Sequence, residues 1–187
     1  VLDLVGRMVL PGFRDTHVHP GAGMGLSECA YDDLETVRAV LDSTVVCVRA
    51  KAPGEWVVGR GWALPLFPDA NPSKALLDSI APDNPVYLTA ADGHSAWVNS
   101  AALRAAGVSR DTPDPPNGRI ERDRAGEPSG TLRETAMDLV RRHLPPPTQE
   151  RRKEGIRAAL RLANRFGITA VHDASAGPEM LEADAAL

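Results

Sequence analysis

Little in this sequence marks a specialised surface. Aromatic residues make up only 4% of the 187 residues. There is no cationic excess: Lys+Arg 21 against Asp+Glu 25 gives a net charge of −4. That balance leaves no electrostatic footprint for nucleic acid or an anionic membrane. No apolar run is long enough to span a bilayer, and no basic-then-apolar leader opens the chain. There are two cysteines, Cys29 and Cys47, at no metal-knuckle spacing. So few thiols fit a reducing compartment, and a cytoplasmic location is the expectation. No Gly-x-Ser-x-Gly elbow and no phosphate-binding Gly-rich loop occurs, so a serine triad and a nucleotide-hydrolysis site have no support. Of the 21 basic residues only three are lysines, Lys51, Lys74 and Lys153.

What remains is ordinary for a globular chain, with 43% hydrophobic and 25% charged residues. One short stretch stands out, Pro11-Gly12-Phe13-Arg14-Asp15-Thr16-His17-Val18-His19-Pro20. Side chains two apart on a strand point to one face. If this run is extended, His17 and His19 project together, with Asp15 on the same face. Two neutral imidazoles side by side form half a site for a divalent metal. The glycine-rich run Gly21 to Gly25 follows, and it reads as a flexible active-site loop.

The rest alternates helix and strand. Val1 to Gly6 reads as the end of an upstream strand. Asp32 or Asp33 is placed to cap a helix to about Lys51, with an apolar stripe through Leu34, Val37, Leu41, Val45 and Val48. Glu55 to Gly61 and Val86 to Ala90 read as strands. Helices follow Ser73 and Asn99 or Ser100, and Asp92 to Ser95 reads as a turn. Gly118 to Arg122 and Glu127 to Thr131 read as a hairpin around Asp123-Arg124-Ala125-Gly126. Leu132 to His143 is expected to be helical, which would put Glu134 on a first helical turn. Thr148 caps a helix to Phe166, Gly167 closes it, and Ile168 to His172 is a strand before a last helix. The final strand-bearing stretch reads as a βαβ unit joining a parallel sheet. Alternation puts His172 and Asp173 on opposite faces, so at most one of them faces a metal.

The order of residue types from Val9 to His19 resembles the first barrel strand of the amidohydrolase superfamily. Gly61-Trp62, Asp83-Asn84-Pro85-Val86, Asp92-Gly93-His94-Ser95-Ala96-Trp97-Val98-Asn99, Gly118-Arg119-Ile120, Gly130-Thr131-Leu132-Arg133-Glu134 and Gly167 to Asp173 extend the likeness. They are similar to the amidohydrolase-3 branch, which includes N-substituted formamide deformylases. The resemblance covers essentially the whole chain.

It implies an α/β fold: the first two strands of a partial (β/α)8 barrel with a large inserted α+β lobe. Residues 1–20 would hold the end of a β-sandwich and the first barrel strand, residues 21–147 the inserted lobe, and residues 148–187 a helix-strand-helix of the barrel. It implies one or two divalent metals, zinc before others, with His17 and His19 as ligands. None of the three lysines sits at a strand end, so Glu134 is the candidate bridging and catalytic carboxylate. His94 and Asp92, with Trp62 and Trp97, are candidates for contacting substrate. The implied reaction is hydrolysis of a C–N bond in a small amide or formamide by metal-activated water. A deaminase or cyclic-amide hydrolase of the same superfamily is the alternative, and a metal-free, non-catalytic binding remnant is another. The later barrel strands, with further histidines and an aspartate, have no counterpart here. The expectation is therefore an amino-proximal part of a longer enzyme, inactive alone.

Overall fold

The computed structural model describes residue 3 and residues 5–187. The reading of residues 1–6 as a strand end rests on Val1, Leu2 and Leu4 and lies outside the described residues. The chain forms two compact units, one from the residues up to Ser27 together with Pro147–Leu187, the other from Glu28–Pro146.

In the first unit, β1 (Phe13–Val18) pairs in parallel with β8 (Ile168–Asp173). The connection back to β1 runs through α5 (Gln149–Arg165), and α6 (Pro178–Ala185) follows β8. Thr148 caps α5 as expected, its hydroxyl oxygen accepting from the Arg151 N–H. The glycine run after His19 is not a flexible loop. Pro20–Ser27 forms a 3-10 helical segment packed on α5. The reason is steric. A Cβ on Gly23 would stand 2.0 Å from the Gly155 carbonyl oxygen, and one on Gly155 would stand 2.5 Å from the Met24 side chain. The glycines serve close approach of two backbones rather than freedom.

The second unit is a six-stranded mixed sheet in the order β2-β3-β4-β5-β7-β6. Its strands are β2 (Cys29–Ala30), β3 (Val57–Trp62), β4 (Val86–Ala90), β5 (Ser95–Val98), β6 (Gly118–Arg122) and β7 (Pro128–Glu134). The first three are parallel and the rest antiparallel. Helix α1 (Val37–Arg49) starts at Thr36 rather than at Asp32 or Asp33. The Thr36 hydroxyl accepts from Ala39 N–H, and Leu34 packs on the core from outside the helix. Helices α2 (Lys74–Asp78) and α3 (Ser100–Ala105) are capped by Ser73 and Asn99. Asn99 is fully buried and spends every polar valence. Its Oδ1 accepts from Val86 and Ala102 N–H groups, and its amide donates to the Ala81 and Asn84 carbonyls. That satisfies the demand on a buried amide.

Three readings are corrected here. Ser95–Val98 is a buried strand; a turn over Asp92–Ser95 was expected, with no strand after it. The helix expected from Leu132 does not begin there: β7 runs on to Glu134, and only α4 (Asp138–Arg141) is α-helical before the prolines. Cys29 and Cys47 are joined by a disulfide that ties β2 to α1. Disulfides persist in oxidising compartments and are rare in the cytosol. The bond therefore weighs against the reducing setting read from the sequence. Among the described residues, no helix is long and apolar enough to cross a membrane.

Candidate functional site

Chemistry-bearing side chains gather in two places, one in each unit. In the first unit, β1 delivers His17 near its carboxyl end and His19 one residue beyond it. Their rings meet edge to face, centroids 5.4 Å apart. The Asp15 carboxylate accepts from the His17 backbone N–H at 3.1 Å, which fixes the strand where the first imidazole leaves it. The parallel register sets Val18 opposite Asp173. This puts the Asp173 carboxylate 3.9 Å from His19 Nδ1. The alternation left His172 and Asp173 open; the pairing of β1 with β8 decides for Asp173. A carboxylate on Nδ1 orients an imidazole and leaves Nε2 for a ligand, the arrangement seen behind many metal-bound histidines. Asp184 of α6 is held above the usual carboxylate range, first by burial and then by the charge of Asp173.

In the second unit, β7 ends on Glu134, whose backbone takes φ 49°, ψ −128°. A non-glycine residue pays for positive φ, and such strain concentrates where a side chain must be aimed. Here the Glu134 carboxylate accepts from His94 Nδ1 at 3.0 Å. Its backbone N–H donates to the His94 carbonyl. Asp92 holds the turn that presents His94, accepting from its N–H at 2.9 Å. The Glu134 hydrogen bond, and then its charge, raises the His94 pKa above that of an ordinary imidazole. Beside this pair lies an open cavity of about 640 Å³. Leu64 and Ala70 form part of its wall; Arg119, Arg133 and Glu134 supply its charges.

Trp62 and Trp97 do not line this cavity. Both are fully buried. The Trp62 indole N–H donates to the Leu88 carbonyl and that of Trp97 to the Ser73 carbonyl. With Phe67 they form a cluster of edge-to-face rings. Their expected place against substrate is corrected to the core, where aromatic area and a satisfied indole N–H both count.

The structure thus brings His17 and His19 together with Asp173, and His94 with Asp92 and Glu134. Among the described residues, no group of three or more His, Cys, Asp or Glu side chains is arranged to hold a metal ion. The donor set at His17 and His19 nonetheless fits one in kind: two adjacent imidazoles, one of them backed by a carboxylate. Sequence reasoning missed Arg119 and Arg133 as cavity residues. Their only signal was that hairpin alternation places them on matching strand positions.

A family model described as amidohydrolase family matches residues 1–187. The chain belongs to the amidohydrolase family. It is 39% identical over 144 residues to the N-substituted formamide deformylase of Arthrobacter pascens, covering 75% of this chain and 27% of that protein. To YtcJ of Bacillus subtilis (strain 168), which bears an amidohydrolase name, it is 37% identical over 174 residues, 91% of this chain and 33% of YtcJ. The chain spans between 27% and 39% of the length of the curated relatives it matches. A crystal structure of an uncharacterized metal-dependent hydrolase from Pyrococcus horikoshii superposes with a TM-score of 0.66 at 22% identity, over 95% of this chain and 33% of that one. That likeness bears on the α/β fold.

Proposed function

We propose that this amidohydrolase-family chain contributes the first metal ligands of a hydrolase that cleaves a carbon–nitrogen bond in a small amide or formamide. The observation that carries the reading is the edge-to-face pair His17 and His19 at the end of β1, with Asp173 beside His19. In this reading β1 and β8 are the first two strands of a (β/α)8 barrel, and residues 21–147 are a lobe inserted between them. His17 and His19 hold a divalent metal, zinc before others. Bound there, such an ion would supply a Lewis acid and an activated water near neutral pH.

The chain's own residues have separate tasks. Asp173, 3.9 Å from His19 Nδ1, is placed to orient the ring with Nε2 free once the two close to hydrogen-bond distance. Asp15 pins the backbone at His17, which limits how far the first imidazole can swing. Glu134 is proposed as a proton-holding carboxylate, within hydrogen-bond reach of His94. His94 keeps that carboxylate aimed and can share its proton, and Asp92 keeps His94 in place. A carboxylate and an imidazole within hydrogen-bond reach are the usual parts of general acid–base work.

Metal content decides the first claim. The protein is stripped with chelator, titrated with Zn²⁺ and followed by calorimetry, alongside His17→Ala/His19→Ala. Wild type should bind, and the double variant should bind at least ~100-fold more weakly. Equal zinc content in the two proteins would sink the metal reading and leave a non-catalytic binding role. Release of formate or of ammonia from a panel of formamides, amides and cyclic amides, tested on a full-length protein carrying this segment, separates formamide hydrolysis from deamination.

A further inference from the structure

His94 is followed by a serine and Glu134 is preceded by an arginine. In the pairing of β5 with β7 these two neighbours stand opposite each other, Ser95 against Arg133. They form the rung nearest the His94–Glu134 pair. Beyond it the Glu134 N–H donates to the His94 carbonyl at 3.0 Å. Ladder ends are where a sheet opens first, so the pair stands at a place that needs holding.

The Arg133 side chain closes that end. Its Nη1 donates to Ser95 Oγ and its Nη2 to the Ala70 carbonyl, each at 2.7 Å. Its Nε donates to Glu121 Oε1 at 3.2 Å. One rigid, planar fork therefore joins β5, β6, β7 and the turn at Pro68–Ala70. The fork is shielded: the Arg133 and Glu121 side chains are 19% and 14% exposed, and Ser95 is buried. The pair above it is open, with His94 at 68% and Glu134 at 56%. An exposed ion pair contributes less than it costs to keep a non-glycine residue at positive φ. The Glu134 backbone, at φ 49°, is therefore held by something other than His94. On the β6 side Gly118 packs so closely that a Cβ there would stand 2.4 Å from the Ala136 nitrogen. On the β5 side the hold is Arg133.

We propose, building on the acid–base reading of His94 and Glu134 above, that Arg133 is a positioning residue: through Ser95 it locks the last rung of β5 and β7, so that the Glu134 carboxylate meets His94 Nδ1 and the other ring nitrogen is left to work. An ionised carboxylate only accepts, so the pairing requires the proton of a neutral His94 ring to be on Nδ1. Loss of the lock frees the ring to carry it on Nε2.

The ratio of the two His94 tautomers is the readout. It is taken from ring ¹⁵N spectra of the labelled chain at a pH where the ring is neutral, with chelator present so that no metal contributes. His94→Gln assigns the signals. Wild type should favour Nδ1–H, and Glu134→Gln should abolish that preference. Arg133→Gln should lower the ratio of Nδ1–H to Nε2–H at least ~10-fold, the equivalent of a lost hydrogen bond to a charged group. Arg133→Lys keeps the charge but not the fork, and should fall between the two. Ser95→Ala, which leaves the arginine in place, should lower the ratio at least ~3-fold; these two variants serve if Arg133→Gln does not fold. Val40→Ala, a core truncation in α1, should destabilise the chain yet leave the ratio within about twofold. An unchanged ratio in the Arg133 and Ser95 variants overturns the positioning role and leaves the acid–base pair standing, as does an equal fall in Val40→Ala. No Nδ1–H preference in wild type overturns both.

Discussion

The two units solve the same folding problem to different extents. Glu28–Pro146 closes its own core. One cluster is centred on Trp62, Leu77, Leu88 and Trp97, and a second on Val98, Ile120, Leu132 and Val140, all essentially without exposure. The other unit buries little beyond Ile156, Ala183 and its packed glycines, and leaves Phe13 60% and Phe166 69% exposed. Their polar sites differ in the same sense. His94 has a carboxylate at hydrogen-bond distance, whereas His19 has one only at ion-pair distance. The lesson is that self-sufficient packing and candidate metal chemistry reside in different stretches of this chain. The unit with the closed core presents a partnered dyad and a cavity; the unit with open apolar surface presents the bare imidazole pair.

The largest test of this contrast is Trp97→Ala. It empties a fully buried site and orphans the Ser73 carbonyl, so guanidinium titration should show a loss of about 3–5 kcal/mol. Phe166→Ala, in the open unit, should change stability by less than ~0.5 kcal/mol. Similar losses for the two would break the distinction. Next comes the disulfide. Cys29 and Cys47 are 18 residues apart in sequence, and the chain-entropy model gives about 3 kcal/mol for closing a loop of that order. Cys29→Ser/Cys47→Ser should lose up to that amount, with hydrogen exchange speeding up in β2 and α1 and not in α5. Uniform loosening of both units would break the contrast between them.

The smallest effect is a titration. Glu134 raises the folded-state pKa of His94. A raised pKa means that the protonated form is the one the fold favours. The contribution is therefore complete below the ordinary imidazole value, about 6.5, and is lost as pH rises through the raised value. Histidine NMR should show the His94 pKa falling towards the ordinary value in Glu134→Gln. An unchanged midpoint would mean that the pair is not formed in solution.

Local signals were legible in the sequence. Ser73 and Thr148 cap the helices they were expected to cap, and Asn99 caps the one for which Asn99 or Ser100 was open, because a cap depends on the few residues that follow it. The extended run through His17 and the hairpin around Asp123–Gly126 are visible for the same reason. What could not be read depends on partners distant in sequence. Ser95–Val98 has no alternation, because both its faces are buried, so it did not stand out as a strand. Glu134 looked helical because the register of β7 with β6 and β5, not its neighbours in sequence, carries the strand to that point. The choice of Asp173 over His172 needed the pairing of β1 with β8. The two tryptophans were candidate pocket residues until the fold showed them packed edge to face in the core.

The meeting of Gly23 with Gly155 has a consequence for anyone recombining this chain with a relative. There is no room for a single carbon on either side of that contact. The segment that follows the histidines and the middle of α5 are therefore one inheritable piece, although more than a hundred residues of sequence lie between them. A chimera that exchanges Pro20–Ser27 alone has nowhere to put the first methyl group it introduces at Gly23.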